Sequence, residues 1–127
     1  MKARFQRVFP YKGDALNLPV ADVDASIPYY EETFGFRVIS RADTPHRSVI
    51  MERDGIRIGL AENGGDSSQD GCFFEVDSIE VAYEEIKGVA PPDPSTFRVD
   101  KFGKTSYRVF FEAAPDGLCY MMGQRQD

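Results

Sequence analysis

Apolar and polar positions alternate in several short runs, and two segments with helix-capping residues lie between these runs. The helices are predicted from Asp24 to Phe34 and from Ser78 to Lys87. The predicted strands of the first half are Ala15 to Val20, one near Arg37, His46 to Arg53 and Ile56 to Ala61. Those of the second half are Gly71 to Val76, a weak one near Thr96, Thr105 to Glu112 and Leu118 to Gly123.

The two helical segments resemble each other. DASIPYYEETFGF begins at Asp24 and DSIEVAYEEIKGV begins at Asp77, with matching acidic, tyrosine and glycine positions. Aspartate is a favoured N-cap residue, so the helices are expected to start near these two positions. Gly35 and Gly88 are expected to end them in the left-handed conformation.

Each helix is followed by a run that contains an Asp-Gly pair, at Asp54-Gly55 and at Asp116-Gly117. Asp-Gly between strand-like runs predicts a β-hairpin. The chain is therefore predicted to be a single α+β domain over residues 1–127, built from two tandem βαβββ modules at about 14–64 and 70–124. Their mixed sheets are expected to enclose a cleft, because each small sheet must bury its inner face. The Pro-rich segment 88–104 is expected to be a loop.

Charge and composition exclude several classes of protein. The formal net charge of −6 disfavours nucleic-acid binding, which needs a basic surface. The sequence contains neither a membrane-spanning apolar run nor a signal peptide, so we expect a cytoplasmic protein without membrane contact. Cys72 and Cys119 have no zinc or redox spacing and are expected to be buried thiols.

Four runs, in order, are LPVADVDASIPYYEETFGF, MERDGIRIGLAE, CFFEVDSIEVAYEEI and YRVFFEAAPDGLCYMMGQ. Together they resemble the glyoxalase/bleomycin-resistance/extradiol-dioxygenase superfamily, also called vicinal oxygen chelate proteins. The similarity extends from about Asp14 to Gln124 and looks closest to the bleomycin-resistance branch.

Enzymes of this superfamily hold a divalent metal with His, Gln or Glu from four strands. The resemblance places those positions at Ala15, Gly59, Gly71 and Met121, none of which offers a hard oxygen or an imidazole nitrogen. We therefore expect no metal, no other cofactor and no catalytic residue. The single histidine, His46, lies at the start of a predicted strand and is expected to be a surface or loop residue.

Strand residues two positions apart face the same side, so the residues beside the four metal positions are expected to line the cleft. Small residues at the old metal positions are expected to leave space for an organic ligand. The predicted ligand-binding residues are Asn17, Arg57, Phe73, Glu75, Phe102, Tyr107, Phe111 and Met121. Aromatic and Met side chains suit a planar molecule.

Glu75 is the most specific candidate, because a carboxylate among apolar side chains requires a cation or a hydrogen-bond donor. That partner is either the ligand or, within the protein, Arg57 or Arg108. The sequence alone leaves both possibilities open.

The first functional hypothesis is a metal-independent protein that sequesters a hydrophobic or cationic compound, for example an antibiotic. The resemblance to bleomycin resistance proteins also implies a homodimer with grooves at the subunit interface, although the Trp that those proteins place in the groove is absent here. The alternatives are a glyoxalase-like lyase or isomerase, and a ligand-responsive regulatory module.

Overall fold

The computed structural model describes residues 3–11, 14–67, 71–88 and 98–126, without the side chain of Phe102. The elements are β1 (Phe5–Pro10), β2 (Leu18–Pro19), α1 (Val23–Thr33), β3 (Arg37–Ala42), β4 (Ser48–Arg53), β5 (Ile56–Ala61), β6 (Gly71–Val76), α2 (Ile79–Lys87), β7 (Arg98–Phe102), β8 (Thr105–Ala113) and β9 (Cys119–Arg125). This order confirms the α+β class with two βαβββ modules. The predicted strand near Thr96 lies outside the described residues. Within the described ranges, no helix is long and apolar enough to cross a membrane.

The strands form two mixed sheets. The first module supplies a four-stranded sheet in the order β2-β5-β4-β3. The second module supplies a five-stranded sheet in the order β1-β6-β9-β8-β7, with an additional edge strand from the start of the chain. Pairs β2–β5 and β6–β9 are parallel, and the remaining pairs are antiparallel. The sequence prediction missed β1, which has one fully buried residue and a bulge that disturbs its alternation.

The helices begin close to the predicted positions but use different caps. The side chain of Asp22 accepts the Ala25 N–H at 3.2 Å, and that of Ser78 accepts the Val81 N–H at 3.2 Å. Asp24 instead forms ion pairs with arginines of the β3–β4 hairpin. Asp77 instead accepts the backbone N–H of Arg4 at 2.8 Å.

The glycines at the helix ends differ from each other. Gly35 has the predicted left-handed conformation, with φ of 70°. Gly88 does not, because its φ is −71° and the right-handed conformation continues through the cap. The first Asp-Gly hairpin is confirmed between β4 and β5, where Asp54 and Gly55 have φ of 53° and 84°. The second joins the antiparallel strands β8 and β9 through residues 114–118.

The main core lies between the helices and the inner faces of the sheets. Aromatic rings dominate it: Phe34 packs against Phe36, Phe74 and Tyr120, and the rings of Phe74 and Tyr120 stack at 5.3 Å. A second, separate apolar cluster covers the opposite face of the five-stranded sheet. Because this apolar cluster lies on the face of the sheet that is turned away from the main core, the outer face is where a ligand site would be expected.

One charged side chain is buried where the two modules meet. Arg53, at the end of β4, pairs with Glu85 of α2 at 2.8 Å and with Asp54 at 3.3 Å. Its guanidinium also donates to the carbonyl of Ala3 at 2.6 Å and to that of Phe34. Arg53 therefore links the start of the chain, the end of α1 and the second helix.

Candidate functional site

The outer face of the five-stranded sheet brings together five of the eight predicted ligand-binding residues. They lie on three neighbouring strands: Phe73 and Glu75 on β6, Met121 on β9, Tyr107 and Phe111 on β8. Phe73 is paired with Met121, and Met121 is paired with Phe111, so these three side chains form one row across the sheet. The family resemblance and the alternation of strand residues together predicted that these side chains share a face; that they bind a ligand stays a prediction.

A pocket of about 470 Å³ opens beside this row. Its lining residues are Phe9, Pro10, Tyr11, Phe73, Thr105, Tyr107 and Met121. The first three come from the end of β1 and the residue after it, so the sequence prediction missed them together with that strand. The signal that was available is the run Phe5 to Tyr11, in which aromatic residues recur before the first predicted element.

Aromatic rings form the walls of this pocket. The ring of Phe73 lies edge-on to that of Tyr107 with centroids 5.0 Å apart, and it lies tilted to that of Phe9 at 6.0 Å. At the far end of the row, the guanidinium of Arg98 lies over the ring of Phe111 at 4.9 Å. Aromatic walls of this kind favour the binding of another flat apolar molecule through edge-to-face or offset-stacked contacts.

Glu75 lies next to this aromatic pair and is 5% exposed. The hydroxyl of Tyr107 donates a hydrogen bond to its carboxyl oxygen Oε1 at 3.0 Å. Burial and this hydrogen bond raise the pKa of Tyr107, so the phenol stays protonated and acts as a donor. The guanidinium-bearing Arg7 is paired with Glu75 across the β1–β6 ladder.

The two internal ion pairs considered for Glu75 are absent. Arg57 pairs with Glu52 at 2.8 Å, and Arg108 pairs with Glu80 on α2. Among the described residues, Glu75 forms no ion pair, and its one hydrogen bond is the one from Tyr107. A carboxylate has room for about four hydrogen bonds, so Glu75 can accept further donors.

Two predicted ligand-binding residues lie elsewhere. Arg57 is on the four-stranded sheet and its side chain is 59% exposed. Asn17 precedes β2, and its side-chain and backbone oxygens accept hydrogen bonds from Asn63 at 3.1 Å. Neither lines the pocket, because the β2–β5 sheet presents them on a different surface. The side chain of Phe102 lies outside the described residues, although its backbone pairs with the pocket residue Thr105.

Two of the four positions that the resemblance assigns to metal ligands, Gly59 and Gly71, do not leave open space. Gly59 donates its N–H to the carbonyl of Ala15 at 2.8 Å, and a Cβ on Gly59 would overlap the carbonyl oxygen of Leu16. A Cβ on Gly71 would overlap the carbonyl oxygen of Cys119. The prediction that these glycines leave space for a ligand was therefore wrong, because neighbouring backbone fills that space. A metal of the superfamily type does not fit these residues, since they offer no donor side chain except the soft thioether of Met121.

The remaining candidates for metal binding or nucleophilic chemistry are dispersed. No group of three or more His, Cys, Asp or Glu side chains with metal-binding geometry occurs in the part of the chain that the structure describes. His46 lies in the turn between β3 and β4, as predicted for a loop histidine. Cys72 is fully buried as predicted, whereas Cys119 is half-buried, and burial raises the pKa of its thiol.

A buried polar group on the inner face of the same sheet was not predicted. Glu112 accepts a hydrogen bond from the Tyr29 hydroxyl at 2.9 Å through Oε1. Its Oε2 is a buried oxygen without a hydrogen-bond partner among the described residues. Burial raises the pKa of Glu112 from the ordinary value of a glutamate, and the hydrogen bond from Tyr29 partly opposes this shift. This carboxyl group contacts α1 and lies on the opposite side of the sheet from the pocket.

Solved structures of the same architecture include three antibiotic-related proteins. A bleomycin resistance determinant encoded on the transposon Tn5 is 19% identical, with a TM-score of 0.65, over 91% of this chain and 99% of that one. A bleomycin-binding protein from Streptomyces verticillus, complexed with copper(II)-bleomycin, is 20% identical with a TM-score of 0.65, over 91% of this chain and 98% of that one. A fosfomycin resistance protein from Listeria monocytogenes, complexed with Mn(II) and sulfate, is 18% identical with a TM-score of 0.61, over 91% of both chains. These similarities show a shared fold.

A search of curated protein sequences found no significant match. The sequence model of the Glyoxalase/Bleomycin resistance protein/Dioxygenase superfamily matches residues 12–90, more than half of the chain. That match includes the first βαβββ module, β6 and α2, which agrees with the order of elements in the structure. The chain therefore belongs to the Glyoxalase/Bleomycin resistance protein/Dioxygenase superfamily.

Proposed function

We propose that this protein binds a small aromatic or hydrophobic compound in the pocket on the five-stranded sheet, without a metal. The observation that carries the proposal is the pocket itself, about 470 Å³ and walled by Phe9, Tyr11, Phe73 and Tyr107. Ligand pockets in proteins typically enclose about 300–1,000 Å³ and combine apolar walls with a few polar groups. Burial of apolar surface there is favourable by about 25 cal/mol per Å².

Glu75 supports a preference for compounds with a positive or hydrogen-donating group. Its carboxyl group is next to the aromatic wall, is nearly buried and accepts only the Tyr107 hydrogen bond among the described residues. An ammonium group or N–H of a ligand would satisfy its remaining acceptor sites. The net charge of −6 also attracts cations toward the surface.

We further propose that binding serves to sequester an antibiotic or a similar toxic compound. Structures with the same fold include proteins that bind bleomycin and that confer fosfomycin resistance. Sequestration needs affinity and no reaction, and the pocket described here offers binding walls without a nucleophile or a metal centre. Cys72 and Cys119 form no disulfide, which supports placing this function in the cytoplasm.

The test of the charge preference uses two matched probes, 1-naphthylmethylammonium and the neutral 1-naphthylmethanol, in calorimetric titrations. We expect the cation to bind the wild-type protein more tightly. Glu75→Gln should weaken binding of the cation about tenfold, equivalent to about 1.4 kcal/mol, and leave the neutral probe nearly unchanged. The Gln side chain can still accept the hydrogen bond from Tyr107, so the pocket keeps its shape. An unchanged ratio of the two affinities would show that Glu75 is structural.

The pocket assignment has its own control. Phe73→Ala removes one wall and should weaken both probes by at least about tenfold, because the buried ring contact is lost. Val99→Ala alters an exposed apolar residue at the edge of the same sheet and should leave both affinities unchanged. If Phe73→Ala binds both probes as the wild type does, the ligand site lies elsewhere.

We also propose that the protein is a homodimer. Phe9 and Tyr11 at the mouth of the pocket are 44% and 43% exposed, and Leu16 and Ile39 are similarly exposed around the other sheet. Exposed apolar residues on both sheets favour association between copies of the chain. Most such assemblies have closed symmetry, and a two-fold dimer is the commonest of them. Light scattering at micromolar concentration should give twice the 14.3 kDa mass of the chain. A monomer mass would contradict this proposal and leave the pocket proposal intact.

A further inference from the structure

Gly123 lies in the middle of the sheet face that carries the pocket. In the strand pairing it stands between Glu75 of β6 and Val109 of β8. A Cβ built on Gly123 would lie 2.6 Å from Cε2 and Cζ of Phe73 and 3.1 Å from Cγ1 of Val109. The ring of Phe73 therefore occupies the place that a side chain at position 123 would take.

The position of that ring affects both parts of the proposed site. Its edge-to-face contact with Tyr107, at 5.0 Å, helps to orient the phenol that donates to Glu75 at 3.0 Å. The same ring is a wall of the pocket.

We propose that Gly123 is a specificity-determining position that acts through Phe73, and this inference rests on the proposed function. Without a side chain at 123, the Phe73 ring occupies the space over Gly123, and the pocket of about 470 Å³ that this ring lines has the volume for a two-ring ligand. A methyl group there would displace the ring outward, since cores respond even to one methylene, and the pocket beside it would become narrower. Gly123 thus selects for wide, flat aromatic ligands over single rings.

The first measurement needs no ligand. If the ring lies over Gly123, its ring current shifts the Hα protons of Gly123 upfield in the NMR spectrum. Phe73→Leu should remove this ring-current effect and move the Gly123 Hα signals by at least several tenths of a ppm. An identical Gly123 Hα position in the wild type and in Phe73→Leu would overturn the proposal, whatever the protein binds.

The second measurement compares two neutral probes, 1-naphthylmethanol and benzyl alcohol. Gly123→Ala should weaken the two-ring probe at least about tenfold and the one-ring probe about threefold or less. Gly88→Ala is the matched control, because its φ is −71° and, among the described residues, a Cβ there would meet nothing closer than the Glu85 carbonyl oxygen at 4.0 Å. That control should bind both probes as the wild type does.

The double variant Phe73→Leu/Gly123→Ala distinguishes action through the ring from a general disturbance of the sheet. In the Phe73→Leu background, Gly123→Ala should change the affinity for the two-ring probe by less than about twofold, because the ring is already absent. The same loss in both backgrounds, or equal losses for both probes, would refute the proposal while the proposed function stands. A wild-type protein that binds neither probe would instead refute the proposed function, and the specificity role with it.

Discussion

Replacing Arg53 with methionine is expected to destabilise the protein by about 3–5 kcal/mol, because the change removes a buried guanidinium and leaves the partly buried carboxylate of Glu85 and two backbone carbonyls without its hydrogen bonds. In the structure Arg53 pairs with Glu85 at 2.8 Å and donates to the carbonyl of Ala3 at 2.6 Å. Its guanidinium also lies over the Phe5 ring at 4.2 Å. Methionine restores the volume of the side chain but none of these hydrogen bonds, so the cost is electrostatic.

The control for this prediction lies on the same hairpin. Arg57 also pairs with a glutamate, Glu52, at 2.8 Å, but its side chain is 59% exposed. Exposed ion pairs contribute about 0–1 kcal/mol, so Arg57→Met should shift the urea midpoint little. Urea unfolding followed by circular dichroism measures both variants. Similar losses for the two variants would mean that burial does not decide the strength of these pairs.

Restoring a side chain at a former metal position is expected to damage the fold instead of opening a site. Gly59→Ala should destabilise the protein by about 3 kcal/mol or more, since the added Cβ overlaps the backbone carbonyl of Leu16. The hydrogen bond from the Gly59 N–H to the Ala15 carbonyl, 2.8 Å long, holds that segment in place. Gly59→His should lose at least as much stability and acquire no tight affinity for Zn²⁺ or Mn²⁺.

Thermal unfolding with and without these ions tests both substitutions. The matched change Gly88→Ala adds a Cβ whose nearest described neighbour is the Glu85 carbonyl oxygen at 4.0 Å, and it should alter the stability by less than about 1 kcal/mol. A Gly59→Ala variant as stable as Gly88→Ala would show that the segment around Leu16 yields easily. A Gly59→His variant that is stabilised by added metal would show that the superfamily site can still be rebuilt here.

The order of the elements could be predicted from the sequence because it is expressed locally. Two capped helical segments and two Asp-Gly turns recur in the same order, and each signal spans few residues. The shared face of Phe73 and Glu75 on β6 followed from strand alternation for the same reason. The row that joins Phe73, Met121 and Phe111 needed in addition the cleft positions that the family resemblance supplied.

What the sequence could not reveal depends on distant neighbours. The walls contributed by Phe9 and Tyr11 exist because β1 joins the sheet of the second module. The crowding at Gly59 depends on a segment more than 40 residues earlier. The environment of Arg53 likewise combines the start of the chain, α1 and α2. The sequence around a glycine or an arginine can look the same whether that residue lies in open space or against distant parts of the chain.

The pairing of β1 with β6 has a consequence for how the protein is made. Phe9 is paired with Phe73, 64 positions later in the chain. At about 5–20 residues per second, a ribosome needs roughly 3–13 s to add those residues, and more before they leave the exit tunnel. During that time, the aromatic residues of β1 have no sheet to join and are available to chaperones or to other nascent chains. The pocket wall that they form is thus among the last parts of the molecule to be completed.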